Sequence, residues 1–214
     1  MRKKIKYFAV FLLVLVISRL FLFEVYAVNQ NSMLNTYNSG DRVLILKNFY
    51  SKKTNDILIF TREDEDIIKR CVGLPGESIK IINGNFYINN TLVPKPSTSI
   101  LKNYSEIDIF TKSDIYYAYG ENWTLSNFGN YVIPKRGMKI RVTPKNISLY
   151  ENVINQDIDG TLDKKRWKNK SVYTFVNNYY FLVGDNRTQS IDSRVFGPVK
   201  ESSIRGKVIL DLKW

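Results

Sequence analysis

Apolar residues are concentrated in one continuous segment near the start of the chain, from Tyr7 to Val28. Phe, Leu, Val and Ile dominate this segment, and its length is about that of a helix that crosses a bilayer. The sequence therefore predicts a transmembrane anchor over residues 7–28, after a short N-terminus of residues 1–6. Four cations lie within residues 2–6, so the positive-inside rule places the N-terminus in the cytoplasm and the rest of the chain outside.

A cleaved secretory signal is the alternative interpretation of this segment. Residues 7–17 would form its apolar centre, and Ala27 is the small residue that a cleavage site needs. However, charged Arg19 and the apolar residues 20–23 separate these two parts, and their bulky side chains continue the apolar segment outwards. We therefore expect a retained, single-pass anchor in the cell membrane, with the lipid bilayer as one partner of the chain.

Short alternating stretches and turns replace the apolar pattern after residue 28. This pattern is typical of strands, and it predicts a mainly β fold. Asn83-Gly84 lies between two of the predicted strands and supplies the two positive φ angles of a type I′ hairpin turn. The predicted strands are Val43–Lys47, Ile57–Phe60, Ile67–Val72, Ile79–Ile82, Asn85–Ile88, Tyr179–Val183 and Lys207–Leu212.

The strand pattern weakens between about residues 91 and 176. This stretch contains prolines, tyrosine-rich segments and the charged run Lys164–Lys168, which we expect to be a loop or a short helical piece. We interpret residues 91–176 as an inserted cap or variable region, because the strand pattern returns after it. Residues 29–90 and 177–214 would then form one catalytic β core.

The residues that are missing limit the chemistry of this chain. It contains no histidine and one cysteine, Cys71. A Ser-His-Asp triad, a Cys-His pair, a histidine-bearing zinc site and an intrachain disulfide are therefore excluded. We expect Cys71 to be a small buried residue, and we expect no metal or other cofactor.

The chain is basic, with a formal net charge of +12. This charge fits nucleic acid, an anionic membrane surface or an anionic cell wall. The sequence has no long basic run and no interleaved series of basic and aromatic residues, so we expect no nucleic-acid partner and interpret the charge as a solvated surface.

Candidate chemistry comes from a serine, a lysine and a dense polar turn. Ser32 follows the apolar segment by a few residues, and the polar turn from Gly184 to Arg194 follows a predicted strand. Lys69 lies inside an apolar strand, where alternation places Ile67 and Cys71 on its own face. Burial among apolar groups lowers the pKa of a lysine, and a neutral amine can act as a general base when histidine is absent.

These residues stand in four groups whose order resembles the motif boxes of bacterial type I signal peptidases. The groups are Ser32-Met33, Gly40-Asp41-Arg42-Val43, Lys69-Arg70-Cys71-Val72-Gly73-Leu74-Pro75-Gly76-Glu77 and Gly184 to Arg194. The resemblance implies an antiparallel β-sheet catalytic core with an inserted cap, preceded by one N-terminal transmembrane helix. It also implies a membrane-bound serine endopeptidase that removes N-terminal signal peptides from exported precursor proteins.

The resemblance further implies a role for each matching residue. Ser32 would be the nucleophile and Lys69 the general base. Ser190 would hydrogen-bond and orient Lys69, and Gly184 would leave room beside the lysine. The backbone N–H of Ser32 would contribute to the oxyanion hole, with the Gln30 amide as second donor. The supporting ion pairs would be Asp192 with Arg194 and Asp185 with Arg70.

The chain departs from the family pattern around the nucleophile. Many relatives have proline where this chain has Asn35, and glycine where it has Asn31; Gln30 replaces a hydroxyl residue or glycine. These departures leave open a narrow substrate set, such as pilin or other surface-fibre precursors. A non-proteolytic assembly factor for surface fibres is the alternative function, although the presence of both Ser32 and Lys69 opposes it. A self-cleaving Ser/Lys repressor-type domain would share the dyad but would carry no export anchor.

Overall fold

The computed structural model describes residues 2–47, 49–100, 123–143, 146–159 and 172–212, which form mainly antiparallel β-sheets with few helices. The helices are α1 (Arg2–Phe21), α2 (Ile147–Asp157) and α3 (Ser193–Phe196), with 3-10 turns at Asn31–Met33 and Glu201–Ser203. The strands are β1 (Phe23–Ala27), β2 (Arg42–Leu46), β3 (Ile57–Arg62), β4 (Glu65–Gly73), β5 (Ser78–Ile82), β6 (Asn85–Ile88), β7 (Thr91–Leu92), β8 (Phe128–Val132), β9 (Lys139–Arg141), β10 (Val172–Thr174), β11 (Tyr179–Val183), β12 (Val199–Lys200) and β13 (Ile204–Asp211).

A seven-stranded sheet in the order β1-β2-β13-β3-β4-β11-β12 is the larger of the two main sheets. A four-stranded sheet in the order β7-β6-β5-β8 lies beyond the end of β4, and β9 pairs with β10. The turn between β5 and β6 has φ angles of 48° at Asn83 and 74° at Gly84, which confirms the predicted type I′ hairpin. All seven predicted strands are present, with ends shifted by up to three residues.

Strand β4 changes partners along its length. Its residues from Glu65 to Arg70 pair with β3, whereas β11 pairs only with Arg70, Cys71 and Gly73. Within the described ranges, the edge of Glu65–Lys69 that faces away from β3 therefore has no strand partner. This open edge carries Lys69 at its end.

Alternation in β3 and β4 separates two apolar clusters on opposite faces of the larger sheet. Ile59 and Ile68 pack with Met33 on one face, and Leu58 and Cys71 pack on the other. The expectation that Cys71 is a small buried residue is confirmed, and burial raises the pKa of its thiol to about 12.

The predicted anchor of residues 7–28 differs from the elements that the structure shows. Helix α1 ends at Phe21, and Phe23–Ala27 form strand β1, which pairs with β2 along its whole length. Contacts from distant parts of the chain hold β1 in the sheet: Arg205 donates to Glu24, and the Tyr26 hydroxyl donates to the Asp66 carbonyl at 2.8 Å. Among the described helices, none combines the length and apolar character needed to cross a membrane.

The described residues of the region predicted as an inserted cap pack against the core. Strand β8 lies within it and pairs with β5, and α2 contributes Val153 and Ile154 to the same apolar cluster as Ile79 and Phe181. The pattern of this region was weak because its apolar residues are divided among short strands and one helix. Lys164–Lys168 lie outside the described residues.

Candidate active site

Ser32 lies in the 3-10 turn that follows β1. Two backbone hydrogen bonds hold the chain before this turn, from Val28 N to the Asp41 carbonyl at 2.8 Å and from Gly40 N to the Val28 carbonyl at 2.7 Å. Met33 fixes the other side, because its side chain is fully buried in the sheet's apolar cluster. Ser32 itself is only 7% exposed.

Lys69 reaches Ser32 from the open edge of β4. Its Nζ donates to Ser32 Oγ at 2.7 Å and to the Ile68 carbonyl at 3.1 Å, and the residue is 1% exposed. Burial lowers the pKa of Lys69 from 10.5 to about 8; the negative charge of Asp192 acts against this shift, and the positive charge of Arg194 adds to it. A fraction of the amine is therefore neutral at pH 7.

Asp192 and Arg194 form a fully buried ion pair behind the dyad. Arg194 donates from Nε to Asp192 Oδ1 at 2.9 Å and from Nη2 to Asp192 Oδ2 at 2.8 Å, and Gly184 N donates to the same carboxylate at 3.1 Å. Burial acts to raise the pKa of Asp192, but the charge and hydrogen bonds of Arg194 outweigh it and hold that pKa below its usual value. Because the two charges of the pair oppose each other, the pair offsets only part of the decrease in the pKa of Lys69 that burial causes.

Asp185 connects the polar turn to β4. Arg70 donates to it in bidentate fashion, from Nε to Oδ1 at 2.9 Å and from Nη2 to Oδ2 at 2.7 Å. Burial acts to raise the pKa of Asp185, but Arg70 and the Thr36 hydroxyl donate to the carboxylate and keep its pKa low. Asp185 and Arg70 therefore form an ion pair, and the Thr36 hydroxyl also donates to Asp185.

Asn186 contacts the backbone of the nucleophile turn. Its backbone N–H donates to the Ser32 carbonyl at 3.0 Å, and its side-chain Nδ2 donates to the Asn31 carbonyl at 3.1 Å. Asn186 lies inside the polar turn from Gly184 to Arg194, which the sequence indicates as a group. Its only signal was its place in the dense polar turn, because its side-chain contact joins residues 155 positions apart.

Gly184 provides space in which two other residues meet. A Cβ added to it would lie 2.2 Å from Ser190 Oγ and 2.5 Å from the Ser32 carbonyl oxygen. The space beside this glycine is thus filled by Ser190 and the Ser32 backbone.

Ser190 does not make the hydrogen bond to Lys69 that the family pattern implies, as far as the described part of the chain shows. Lys69 Nζ bonds to Ser32 Oγ and to its neighbouring carbonyl, while the Ser190 hydroxyl, which is fully buried, lies over Gly184.

Gln30 lies outside the contacts of the dyad. It is half-buried, and its side chain makes no capping bond to the 3-10 turn. It lines a pocket of about 550 Å³ together with Val25, Tyr26, Ala27, Asn29, Glu65 and Asp66. Asn35, which replaces the family's proline, has a φ of 74° that proline cannot adopt.

Among the residues that the structure describes, no cluster for a metal ion accompanies the dyad. In the ranges that the structure describes, no group of three or more Cys, Asp or Glu side chains is arranged to hold one. The site consists of a serine, an amine and two carboxylate–guanidinium pairs. This set can deliver a nucleophile and transfer a proton.

Comparison with known proteins agrees with this chemistry. The sequence matches the family described as "Signal peptidase, peptidase S26" over residues 1–214. The chain belongs to this family. Membership makes it a peptidase, and the match covers every element that builds the site.

Two curated relatives of this S26 family member are named signal peptidase I V and signal peptidase I. It is 29% identical to signal peptidase I V of Bacillus subtilis (strain 168) over 187 residues, which cover 86% of this chain and 82% of the relative. It is 30% identical to signal peptidase I of Buchnera aphidicola subsp. Schizaphis graminum over 223 residues, covering 94% and 70%. A crystal structure of a signal peptidase I from Enterococcus faecalis V583 is 25% identical, with a TM-score of 0.37, and covers 76% of this chain and 100% of that one.

Proposed function

We propose that this chain removes N-terminal signal peptides from exported precursor proteins, with Ser32 as nucleophile and Lys69 as general base. The family match and the relatives named signal peptidase I support the reaction. One observation carries the assignment of the dyad: a lysine almost excluded from solvent lies 2.7 Å from the hydroxyl of Ser32.

The proton transfers follow from this geometry. With Lys69 neutral, the bond reverses: the Ser32 hydroxyl donates to Nζ, which takes its proton as Oγ attacks the scissile carbonyl. The resulting ammonium gives the proton to the leaving amine, and the acyl group stays on Ser32. A water molecule then attacks the acyl-enzyme, with Lys69 as base again.

A groove beside the dyad is suited to an extended peptide. We propose that it includes the pocket lined by β1, Gln30 and the first residues of β4. Ser32 follows Gln30 in the chain, and Lys69 lies further along β4. The open edge of Glu65–Lys69 can accept the backbone of a substrate as an added strand. Such a strand would place its scissile bond at the end of the edge, beside the dyad.

Helix α1 by itself does not have the length and apolar character of a membrane-crossing helix. We nevertheless propose it as the membrane anchor, with residues 1–6 in the cytoplasm and the catalytic domain outside. Large apolar side chains from Tyr7 to Val16 are exposed over the whole helix surface, including Phe8 at 62% and Phe11 at 57%. A contiguous apolar surface of this kind needs an apolar environment, which lipid supplies. Arg19, near the end of α1, donates to the Phe23 carbonyl at 3.0 Å and joins the helix to β1.

Cleavage by matched variants tests the dyad. The full chain in detergent is incubated with a precursor that carries Ala before the cut, beside Ser32→Ala and Lys69→Ala. Ser39→Ala and Lys80→Ala are the controls, because both residues are exposed and lie outside the site. We expect the wild type and the controls to cleave, and each dyad variant to lose about 10³-fold or more in kcat. Equal cleavage by the wild type and both dyad variants would refute the assignment.

The pH dependence gives a second measure of the same assignment. Lys69 has to be unprotonated to act, so kcat/KM of the wild type should rise through a midpoint of about pH 8. Below that midpoint the amine is protonated, and the rate should fall about tenfold per pH unit.

The range of substrates stays a prediction. The names of the relatives favour a peptidase over a non-proteolytic assembly factor. Comparison of kcat/KM for a pilin precursor and a general secreted precursor distinguishes a dedicated enzyme from a general one.

A further inference from the structure

We propose that Asn186 is a positioning residue that aims the backbone N–H of Ser32 at the oxyanion of the reacting carbonyl. This inference rests on the proposed function. Asn186 Nδ2 donates to the Asn31 carbonyl at 3.1 Å, and Asn186 N donates to the Ser32 carbonyl at 3.0 Å. One residue thus binds the two peptide groups on either side of the nucleophile.

The peptide group is planar, so the bond from Asn186 Nδ2 to the Asn31 carbonyl also determines the direction of the Ser32 N–H. In a trans peptide the C=O and the following N–H point in opposite directions within one plane. The Asn31 carbonyl and the Ser32 N–H belong to the same peptide group, and the chain has no cis peptide bond in its described part. Because Asn186 fixes the carbonyl on its own side, the Ser32 N–H points away from Asn186 and stays available for the substrate.

The Ser32 N–H is free to act in this way. It makes no hydrogen bond with any residue that the structure describes, while the Asn31 carbonyl accepts from both Asn186 Nδ2 and Leu34 N. A donor that is fixed in advance stabilises a developing oxyanion without reorganisation during the reaction.

The amide of Asn186 is itself held in place. The residue is 2% exposed, and its Nδ2 also donates to Gln189 Oε1 at 3.1 Å. Two oxygen acceptors around one amide nitrogen determine which end of the side chain faces the nucleophile turn. Neighbouring Asp185 is fixed by Arg70, and Ile100 forms a backbone bridge with Asn186. These contacts hold the Asn186 side chain in one orientation.

Three variants of the full chain test this inference. Asn186→Ala removes the amide, and Asn186→Asp keeps its shape but replaces the donor with an acceptor. Asn146→Ala is the matched control, because Asn146 Nδ2 also holds a backbone carbonyl, that of Arg141 at 2.9 Å, and its Oδ1 accepts from Thr143. The readouts are kcat, KM, the pH midpoint of kcat/KM and inhibition by a peptide aldehyde that ends at the cut site. Ser32 Oγ adds to the aldehyde carbon, Lys69 takes the Oγ proton, and the aldehyde oxygen becomes the oxyanion.

For both Asn186 variants we expect kcat to fall by about 10-fold to 100-fold, less than the loss of a whole oxyanion donor. We also expect KM to change by less than about threefold and the aldehyde to bind more weakly by the same factor as kcat. The pH midpoint should remain near 8 in Asn186→Ala, whereas the carboxylate introduced by Asn186→Asp favours the ammonium of Lys69 and should raise the midpoint. Asn146→Ala should retain the wild-type kcat.

An unchanged kcat in folded Asn186→Ala would overturn the inference, and so would a loss confined to KM or an equal loss in Asn146→Ala. If Asn186→Ala does not fold, Asn186→Asp decides by the same readouts. A wild type that cleaves no precursor would instead refute the proposed function, so the two failures are distinguishable.

Discussion

Lys69, the proposed general base, shows how opposing effects set the pKa of one residue. Burial alone would favour the neutral amine, and the carboxylate of Asp192 alone would favour the ammonium. Arg194 pairs with Asp192 and reduces its effect, so the pKa of Lys69 lies at about 8. At this value the amine can both accept a proton from Ser32 and return it near neutral pH.

Substitution of Gly184 tests whether the space beside Ser32 is needed. Gly184→Ala would place a methyl group 2.5 Å from the Ser32 carbonyl oxygen and 2.2 Å from Ser190 Oγ. The nucleophile turn has to shift, so we expect kcat to fall by about tenfold or more and the free energy of unfolding to fall by about 1–3 kcal/mol. Enzyme kinetics and denaturant unfolding measure the two effects.

Gly73→Ala is the control for this substitution. Its added methyl group would meet Ile133 Cδ1 at 2.4 Å, within an apolar cluster. It should lower stability while leaving kcat per folded molecule near the wild-type value. A Gly184→Ala protein with wild-type kcat would show that the space beside Ser32 is not required.

The sequence indicates some site residues but not the contacts of others. The sequence indicates Ser32, Lys69, Asp185 and Asp192 as candidates because short motifs in a fixed order surround them. The contacts of Thr36 and Asn186 could not be predicted, because they join positions whose proximity depends on the folded sheet. The expected bond from Ser190 to Lys69 stays a prediction, since a motif gives neighbours but no distances.

Helix α2 is fastened to the sheet by one buried carboxylate at its end. Asp157 accepts from the hydroxyls of Tyr173 at 2.6 Å and Tyr179 at 3.0 Å, and from backbone N–H groups of Val176 at 2.8 Å and Asn177 at 3.1 Å. Burial acts to raise the pKa of Asp157, but these donors outweigh it and lower that pKa. The carboxylate therefore links α2 to β10 and β11.

Asp157→Asn should cost about 2–4 kcal/mol of unfolding free energy at pH 7, because it removes a charged acceptor from several donors. The native pKa lies below 3.8, so this stabilisation is present above that pH and is lost as pH falls through the native pKa. The difference in unfolding free energy between Asp157→Asn and the wild type should therefore decrease as the pH is lowered. Denaturant unfolding at several pH values measures it.

Asp159→Asn is the matched control for this element. Its side chain is 83% exposed and, among the residues that the structure describes, pairs with Lys200 on the surface. We therefore expect the free energy of unfolding to change by less than about 1 kcal/mol. Equal stability of Asp157→Asn and Asp159→Asn would contradict the role assigned to the buried carboxylate.

Elements with a clear period or turn signal could be predicted, whereas others depend on distant partners. Strands β3, β5 and β6 have apolar alternation or a flanking Asn-Gly turn, and their positions follow from the sequence. Strand β1 continues an apolar run without interruption, so periodicity could not separate it from the helix before it. Its pairing with β2 and its bonds to Arg205 and Asp66 determine its conformation.

Two truncations test the division between anchor and catalytic domain for the molecule as a whole. Removal of residues 2–21 deletes α1 and leaves β1 in place, so we expect a protein that needs no detergent and cleaves a short peptide with kcat within about threefold of the full chain. Removal of residues 2–28 also deletes β1 and the buried Val28, and exposes the edge of β2. We expect this shorter protein to aggregate.

Size-exclusion chromatography and denaturant unfolding compare the two truncated proteins. Equal stability would contradict the assignment of residues 23–28 to the catalytic domain. If the protein without residues 2–21 still requires detergent, α1 is not the segment that binds the membrane.

An NMR titration of Lys69 in the full chain tests the central claim most directly. Lysine labelled with ¹³C at Cε reports the protonation of each amine, and Lys69→Met identifies the resonance. The account predicts that this resonance titrates with a midpoint of about 8. A Lys69 resonance with a titration midpoint of about 10.4, the pKa of an ordinary lysine, would contradict the account.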